Sequence, residues 1–88
     1  MNGNALHDLR VAIDKVDASI IELIAERASL ARAVGQVKTE QGQAIVDPRR
    51  EAAVVARAVA LARDAGLPEA DIRGLYWLVV GISRRAQM

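Results

Sequence analysis

Apolar residues recur every seven positions through the first part of the chain. One series is Leu6, Ile13, Ile20 and Val34, and the other is Leu9, Val16, Leu23, Leu30 and Val37. This spacing places both series along one face of a helix. The segment contains no proline, and its only glycine is Gly35. The pattern therefore predicts one helix over residues 6–38, about 33 residues and roughly 50 Å long.

Two shorter helices are predicted after a loop over residues 39–46. Asp47 can cap the second helix, and the proline that follows it suits the first helical position. Gly66 suits the end of this helix. Leu67 and Pro68 then lead into a third helix that reaches nearly to Gln87.

No segment has the alternating pattern of a strand, so the predicted fold is all-α, with three helices in a single domain over residues 1–88. A compact monomer of this length has a radius of gyration of about 12 Å and is about 30 Å across. The first helix is longer than that. We therefore expect another chain to cover its far end.

Composition narrows the possible chemistry. The chain has no cysteine, which excludes disulfides and thiolate sites, and His7 is its only histidine, which argues against a zinc site or a Ser-His-Asp triad. A net charge of +1 gives no basic field for nucleic acid. No run of about 20 apolar residues could span a membrane, and no secretory signal is visible. We expect a cytoplasmic protein without metal or cofactor.

A permanent charge interrupts the apolar face of the first helix. The series that starts at Leu6 reaches Arg27 where an apolar residue is expected, and Lys38 follows three turns later, close to the same face. Burying a guanidinium without a partner costs several kcal/mol. A buried arginine that sets the register by pairing with a carboxylate is the reading favoured by these residues alone. An anion-binding site is the alternative.

The third helix repeats this pattern more weakly. Its apolar stripe, which includes Tyr76 and Val80, continues to Ser83 and Gln87. Both side chains could point inward with hydrogen-bond donors available. Polar residues near a helix end are usually solvated, and that simpler reading is favoured by the pattern alone.

Further charged residues lie near the start of the second helix and at the start of the first. Asp47, Arg50 and Glu51 cluster in the first turn of the second helix, and capping with a local ion pair explains Asp47. Arg50 is unfavourable at a helix N-terminus, so it points either at an anion or at a surface partner.

Arg10 lies 17 positions before Arg27, about 25 Å away along a straight helix. They cannot bind one small molecule within the same chain, but antiparallel pairing of two long helices across a two-fold axis could bring Arg10 of one chain to Arg27 of the other. Four other basic residues are predicted to be solvated: His7, Arg49, Arg84 and Arg85.

In their order and spacing, these residues resemble the all-helical (AroQ-type) chorismate mutases. The resemblance extends over essentially the whole chain, from Leu6 to Gln87. The motifs that carry it are Leu9-Arg10, Asp17, Glu26-Arg27, Gly35 with Lys38, Asp47 with Arg50-Glu51, and Ser83 with Gln87.

The resemblance implies an intertwined helical homodimer with two active sites and no cofactor. Its substrate would be the dianion chorismate and its product prephenate, on the route to phenylalanine and tyrosine. Arg27 and Arg10 of the partner subunit would bind the carboxylates, with Ser83 assisting. Lys38 would contact a carboxylate and the ether oxygen, and Gln87 would donate to that oxygen.

The resemblance also assigns the other end of the substrate. Glu51 and the backbone near Asp47 would hold the ring hydroxyl, and Arg50 would support the polar wall. Three alternatives stay open: an isochorismate-pyruvate lyase, a 4-amino-4-deoxychorismate mutase, and a non-catalytic helical dimerisation or regulatory module. The complete polar set argues against the last, because leucine at position 27 would make a more stable interaction bundle.

Overall fold

The computed structural model describes residues 3–88. Over these residues the chain forms helix α1 (Ala5–Glu40), helix α2 (Pro48–Asp64) and helix α3 (Glu69–Gln87), with no strand. The predicted all-α fold is confirmed. Helix α1 extends two residues past its predicted end at Lys38, where the Thr39 hydroxyl donates to the Gly35 carbonyl at 2.9 Å.

Local sequence signals set the ends of α2 as predicted. The Asp47 carboxylate accepts a hydrogen bond from the Arg50 amide at 3.1 Å, and Pro48 occupies the first helical position. At the other end, Gly66 has a φ of 74°. This left-handed conformation lets the Leu67 amide donate back to the Ala62 carbonyl at 2.8 Å.

Helix α3 packs against both other helices. A small core of Val55, Val59 and Val80 lies between α2 and α3, with Val54 and Tyr76 packed against it. Because the chain lacks phenylalanine, small aliphatic side chains fill this core. Within the described residues, α1 and α2 do not pack against each other, so a cleft remains between them above α3.

Most of α1 projects beyond the other two helices. The molecule measures 63 × 24 × 15 Å and has a radius of gyration of 17.0 Å, against about 12 Å for a compact chain of this length. Every residue from Ala5 to Leu23 is exposed. The apolar series of α1 is between 46% and 64% exposed at Leu6, Leu9, Ile13, Val16, Ile20, Leu23, Leu30, Val34 and Val37.

None of the helices formed by residues 3–88 is long and apolar enough to cross a membrane. The cytoplasmic location and the single domain over residues 1–88 stay predictions.

The turn after α2 offers a direct test of backbone conformation. A side chain at position 66 would meet open space, so only the positive φ opposes a substitution there. We expect Gly66→Ala to lower the free energy of unfolding by about 1 kcal/mol. Gly66→Asn should lower it less, because asparagine tolerates this conformation better. Chemical denaturation measures both, and equal stability of the alanine variant and the parent would contradict this account of the turn.

Candidate functional site

A cleft of about 460 Å³ lies between α1 and α2, and α3 contributes to its lining. Of the residues predicted for the site, all but Arg10 line this cleft: Arg27, Lys38, Asp47, Arg50, Glu51, Ser83 and Gln87. Its apolar lining comes from Leu30, Ala31, Val34, Val54 and Val80. The fold therefore gathers polar residues from all three helices, although they are far apart in sequence.

Arg27 connects α1 to α3 through a hydrogen bond to the Ser83 hydroxyl. Ser83 is buried, so its side chain faces inward. The simpler prediction, that it is solvated near the helix end, is wrong. The Arg27 guanidinium also lies 5.9 Å from the centre of the Tyr76 ring. No carboxylate pairs with Arg27 among residues 3–88, where the ion pair observed is between Arg84 and Glu51. The favoured reading of Arg27, a pairing with a carboxylate, is therefore wrong within this chain.

Lys38 and Gln87 form a second polar pair across α1 and α3. The Lys38 ammonium donates to the Ile45 carbonyl at 2.8 Å and to Gln87 Oε1 at 3.0 Å. An ammonium has three protons, so one remains for a ligand in the cleft. Since lysine can only donate, its contact fixes the Gln87 oxygen towards Lys38 and leaves the Gln87 amide protons free. The pattern of α3 alone favoured a solvated Gln87, and this prediction is wrong because the side chain is hydrogen-bonded to Lys38.

The close approach of α1 and α3 depends on Gly35. A Cβ atom at this position would lie 2.7 Å from the Gln87 carbonyl oxygen and 2.8 Å from its Cα. Both atoms belong to the backbone and cannot rotate away. The absence of a side chain at Gly35 therefore lets the last turn of α3 come near enough for Gln87 to reach Lys38.

Glu51 has a partner that the sequence did not reveal. Arg84 donates from Nε to Glu51 Oε2 at 2.9 Å and from Nη2 to Oε1, so the guanidinium holds both carboxylate oxygens. This hydrogen bonding lowers the pKa of Glu51 below its ordinary value, against the opposing effect of burial. Arg84, predicted to be solvated, is partly exposed but is paired with Glu51, which the sequence did not indicate. Its position one residue after Ser83, on the flank of the cleft-facing stripe, was the available signal.

The charged residues at the start of α2 have separate roles. Asp47 caps the helix through the Arg50 amide, as predicted. The Arg50 side chain lines the cleft and forms no ion pair with another of the described residues. The prediction that Arg50 points at an anion stays a prediction.

Arg10 is exposed on the projecting half of α1 and does not reach the cleft of its own chain. Its contribution to a site stays a prediction that requires a second chain.

The cleft suits a small anion with several acceptor groups. Arg27, Lys38 and Arg50 bring three positive charges to its lining against the one negative charge of Asp47, while the Glu51 charge is balanced by Arg84. Across residues 3–88, no three His, Cys, Asp or Glu side chains are grouped as metal ligands.

Comparison with known proteins finds one matching family and several similar proteins. The family described as chorismate mutase type II matches residues 9–88. The chorismate mutase of Methanocaldococcus jannaschii is 39% identical over 73% of this chain and 65% of its own length. The 4-amino-4-deoxychorismate mutase of Streptomyces venezuelae is 29% identical over 88% of this chain and 75% of its own. The match therefore spans just under two thirds of the archaeal relative.

A solved structure shares the whole fold. It is described as a conserved hypothetical protein from Pyrococcus furiosus, and it is 30% identical with a TM-score of 0.78. The similarity covers 98% of this chain and 99% of the other.

The role of Gly35 can be tested with a matched pair of glycine variants. Gly35→Ala forces a Cβ into the Gln87 backbone, and we expect it to cost about 1–3 kcal/mol of stability. Gly81→Ala is the control, because its Cβ would meet only the flexible tip of Arg85 at 3.4 Å. Thermal unfolding measures both. If the two variants melted at the same temperature, the close approach at Gly35 would not be a constraint.

Proposed function

The chain belongs to the chorismate mutase type II family, and on this premise we propose that it rearranges chorismate to prephenate. This isomerisation supplies the biosynthesis of phenylalanine and tyrosine. The observation that carries the proposal is the convergence of the Lys38 ammonium and the Gln87 amide, held together at 3.0 Å in a cleft that also contains Arg27.

The proposed reaction needs positioning and charge stabilisation rather than covalent catalysis. It is pericyclic: the ether C–O bond breaks while a C–C bond forms within one molecule, and no proton is transferred. The enzyme must hold the enolpyruvyl arm over the ring. It must also stabilise the negative charge that develops on the ether oxygen, for which fixed donors are effective.

Two polar pairs of the cleft, Lys38 with Gln87 and Arg27 with Ser83, fit the ether oxygen and the carboxylates of this substrate. Lys38 has one free proton to donate to the ether oxygen and a positive charge that attracts a nearby carboxylate, and the free amide protons of Gln87 can reach the same oxygen. Arg27, oriented by Ser83, provides two-pronged binding of a carboxylate. These roles are the ones that the sequence resemblance implied.

The remaining residues hold the ring in this proposal. Glu51 accepts a hydrogen bond from the ring hydroxyl, together with the backbone at Asp47. Arg50 adds positive charge to the same wall.

The site is completed by a second copy of the chain in this proposal. The exposed apolar series of α1 leaves a long face without cover in its own chain. Antiparallel pairing of two such helices would bury that face, and it would bring Arg10 of the partner subunit towards Arg27. An intertwined homodimer with two shared sites accounts for both features.

A second candidate is the rearrangement of the 4-amino analogue of chorismate. It is favoured by the similarity to the Streptomyces venezuelae 4-amino-4-deoxychorismate mutase, which covers 88% of this chain. Incubation with chorismate, isochorismate and the 4-amino analogue in separate reactions tests the alternatives. Prephenate formed from chorismate, at a higher kcat/KM than the other reactions, supports our proposal. Release of pyruvate from isochorismate as the main activity would contradict it, as would no turnover at all.

Lys38 is the residue whose removal should affect the reaction most. We expect Lys38→Ala to lower kcat by about 10²- to 10³-fold, the usual effect of removing one donor from a developing oxyanion. Arg73→Ala, which removes an exposed positive charge from α3, should leave kcat unchanged. Circular dichroism checks that both variants keep their helices. Activity of Lys38→Ala within twofold of the parent would remove Lys38 from the site.

Mixing two inactive variants tests the shared site. Arg10→Ala and Arg27→Ala should each have little activity, whereas a mixed dimer has one site that lacks both arginines and one that has both. With random reassociation, half of the dimers are mixed, so recovery should reach about a quarter of the parent activity. No recovery, with mixed dimers verified by mass spectrometry, would show that Arg10 does not act across subunits.

A further inference from the structure

Arg84 reaches the cleft only through Glu51. It lies on α3 immediately after Ser83 and is absent from the cleft lining. Its guanidinium donates to the Glu51 carboxylate. The Glu51 side chain, which does line the cleft, is 16% exposed, and that of Arg84 is 37% exposed. Arg84 therefore does not face the cleft, but it contacts Glu51, which would bind the substrate in the proposed function.

The two-pronged contact leaves Glu51 able to accept further hydrogen bonds. Each carboxylate oxygen has two acceptor directions, and the guanidinium uses one on each oxygen. The other direction on each oxygen is not used by Arg84, and Glu51 lines the cleft. The same contact fixes the rotamer of Glu51 and balances its negative charge.

We propose that Arg84 is a positioning residue that makes Glu51 select a neutral ring hydroxyl over a cationic ring amine. This inference rests on the proposed function. A hydroxyl needs only an acceptor, and Glu51 provides one. A primary alkyl amine is protonated at neutral pH, as the lysine side chain is, and it needs a carboxylate whose charge is not already balanced.

The charges around Glu51 support this selection. Lys38 from α1 and Arg84 from α3 act on the carboxylate, and Asp47 at the start of α2 is its only acidic neighbour among these groups. Arg50 adds another positive charge to the same cleft. Beside an Arg84-paired Glu51, a cationic amine would therefore enter a region with an excess of positive charge.

The test compares two substrates across four variants. kcat/KM is measured for chorismate and for its 4-amino analogue with the parent, Arg84→Gln, Arg84→Met and Arg84→Lys. Both neutral variants should shift the ratio of the two values towards the amine on the order of fivefold, a modest effect because Arg84 is partly exposed. Arg84→Lys should restore part of the preference, since it keeps the charge without the two-pronged geometry.

Arg85→Gln is the matched control. It removes the same charge from the next position of α3, where the side chain is exposed, and it should leave the ratio unchanged.

A pH profile separates positioning from a general loss of structure. Because Arg84 lowers the pKa of Glu51, the parent keeps this carboxylate ionised to a lower pH than the neutral variants do. The acidic limb of kcat/KM for chorismate should therefore move to higher pH in Arg84→Gln and Arg84→Met. The control should keep the profile of the parent.

The outcomes distinguish this inference from the proposed function. A parent protein without activity on chorismate would overturn the proposed function and the selection that depends on it. A parent that is active on chorismate, with neutral Arg84 variants that keep both its substrate ratio and its pH profile, would overturn the role of Arg84 alone.

Discussion

A helix of 36 residues cannot bury its apolar face against two helices of 17 and 19 residues. This mismatch in length is the constraint on which the rest of the architecture depends. Only the last part of α1 contacts α3, and its buried residues are Ala31 and Gly35. The first half of the helix exposes an apolar series at the seven-residue spacing typical of helix pairing. In the proposed homodimer, the projecting half is the surface that a second chain covers, and it carries Arg10.

The packed half of α1 has a different role, which is to position charge. Its inner face presents Arg27 and Lys38, and each is held by a polar residue of α3, Ser83 or Gln87. These contacts orient the two cations before any ligand arrives. Donors fixed in this way need no reorganisation when charge develops in the substrate, which is the main source of rate acceleration in the proposed chemistry. The missing side chain of Gly35 is what lets the two helices approach closely enough.

Local patterns in the sequence predicted most of this fold. The seven-residue spacing gave α1, and Asp47 and Gly66 marked the ends of α2, because capping and helix termination depend on neighbouring residues. The position of Arg27 within an apolar series also indicated an unusual environment. These signals are local, so a single sequence is sufficient to detect them.

Contacts between helices were harder to predict. Arg84 and Glu51 are 33 residues apart on different helices, and neither interrupts an apolar pattern. The position of Arg84 next to Ser83 was a local signal, but it does not identify Glu51 as the partner. The identity of the Arg27 partner was missed for the same reason, because a serine on α3 replaces the expected carboxylate. Resemblance to a known family supplied the roles of Lys38 and Gln87, whose joint position depends on how α1 and α3 pack.

The central claim is that α1 is built to be shared between two chains. Sedimentation equilibrium of the whole chain at micromolar concentration tests it most directly. The account predicts a single species with about twice the 9.5 kDa mass of one chain. A fully helical species of 9.5 kDa at that concentration would contradict it, because the apolar face of α1 would then be stable in water without a partner.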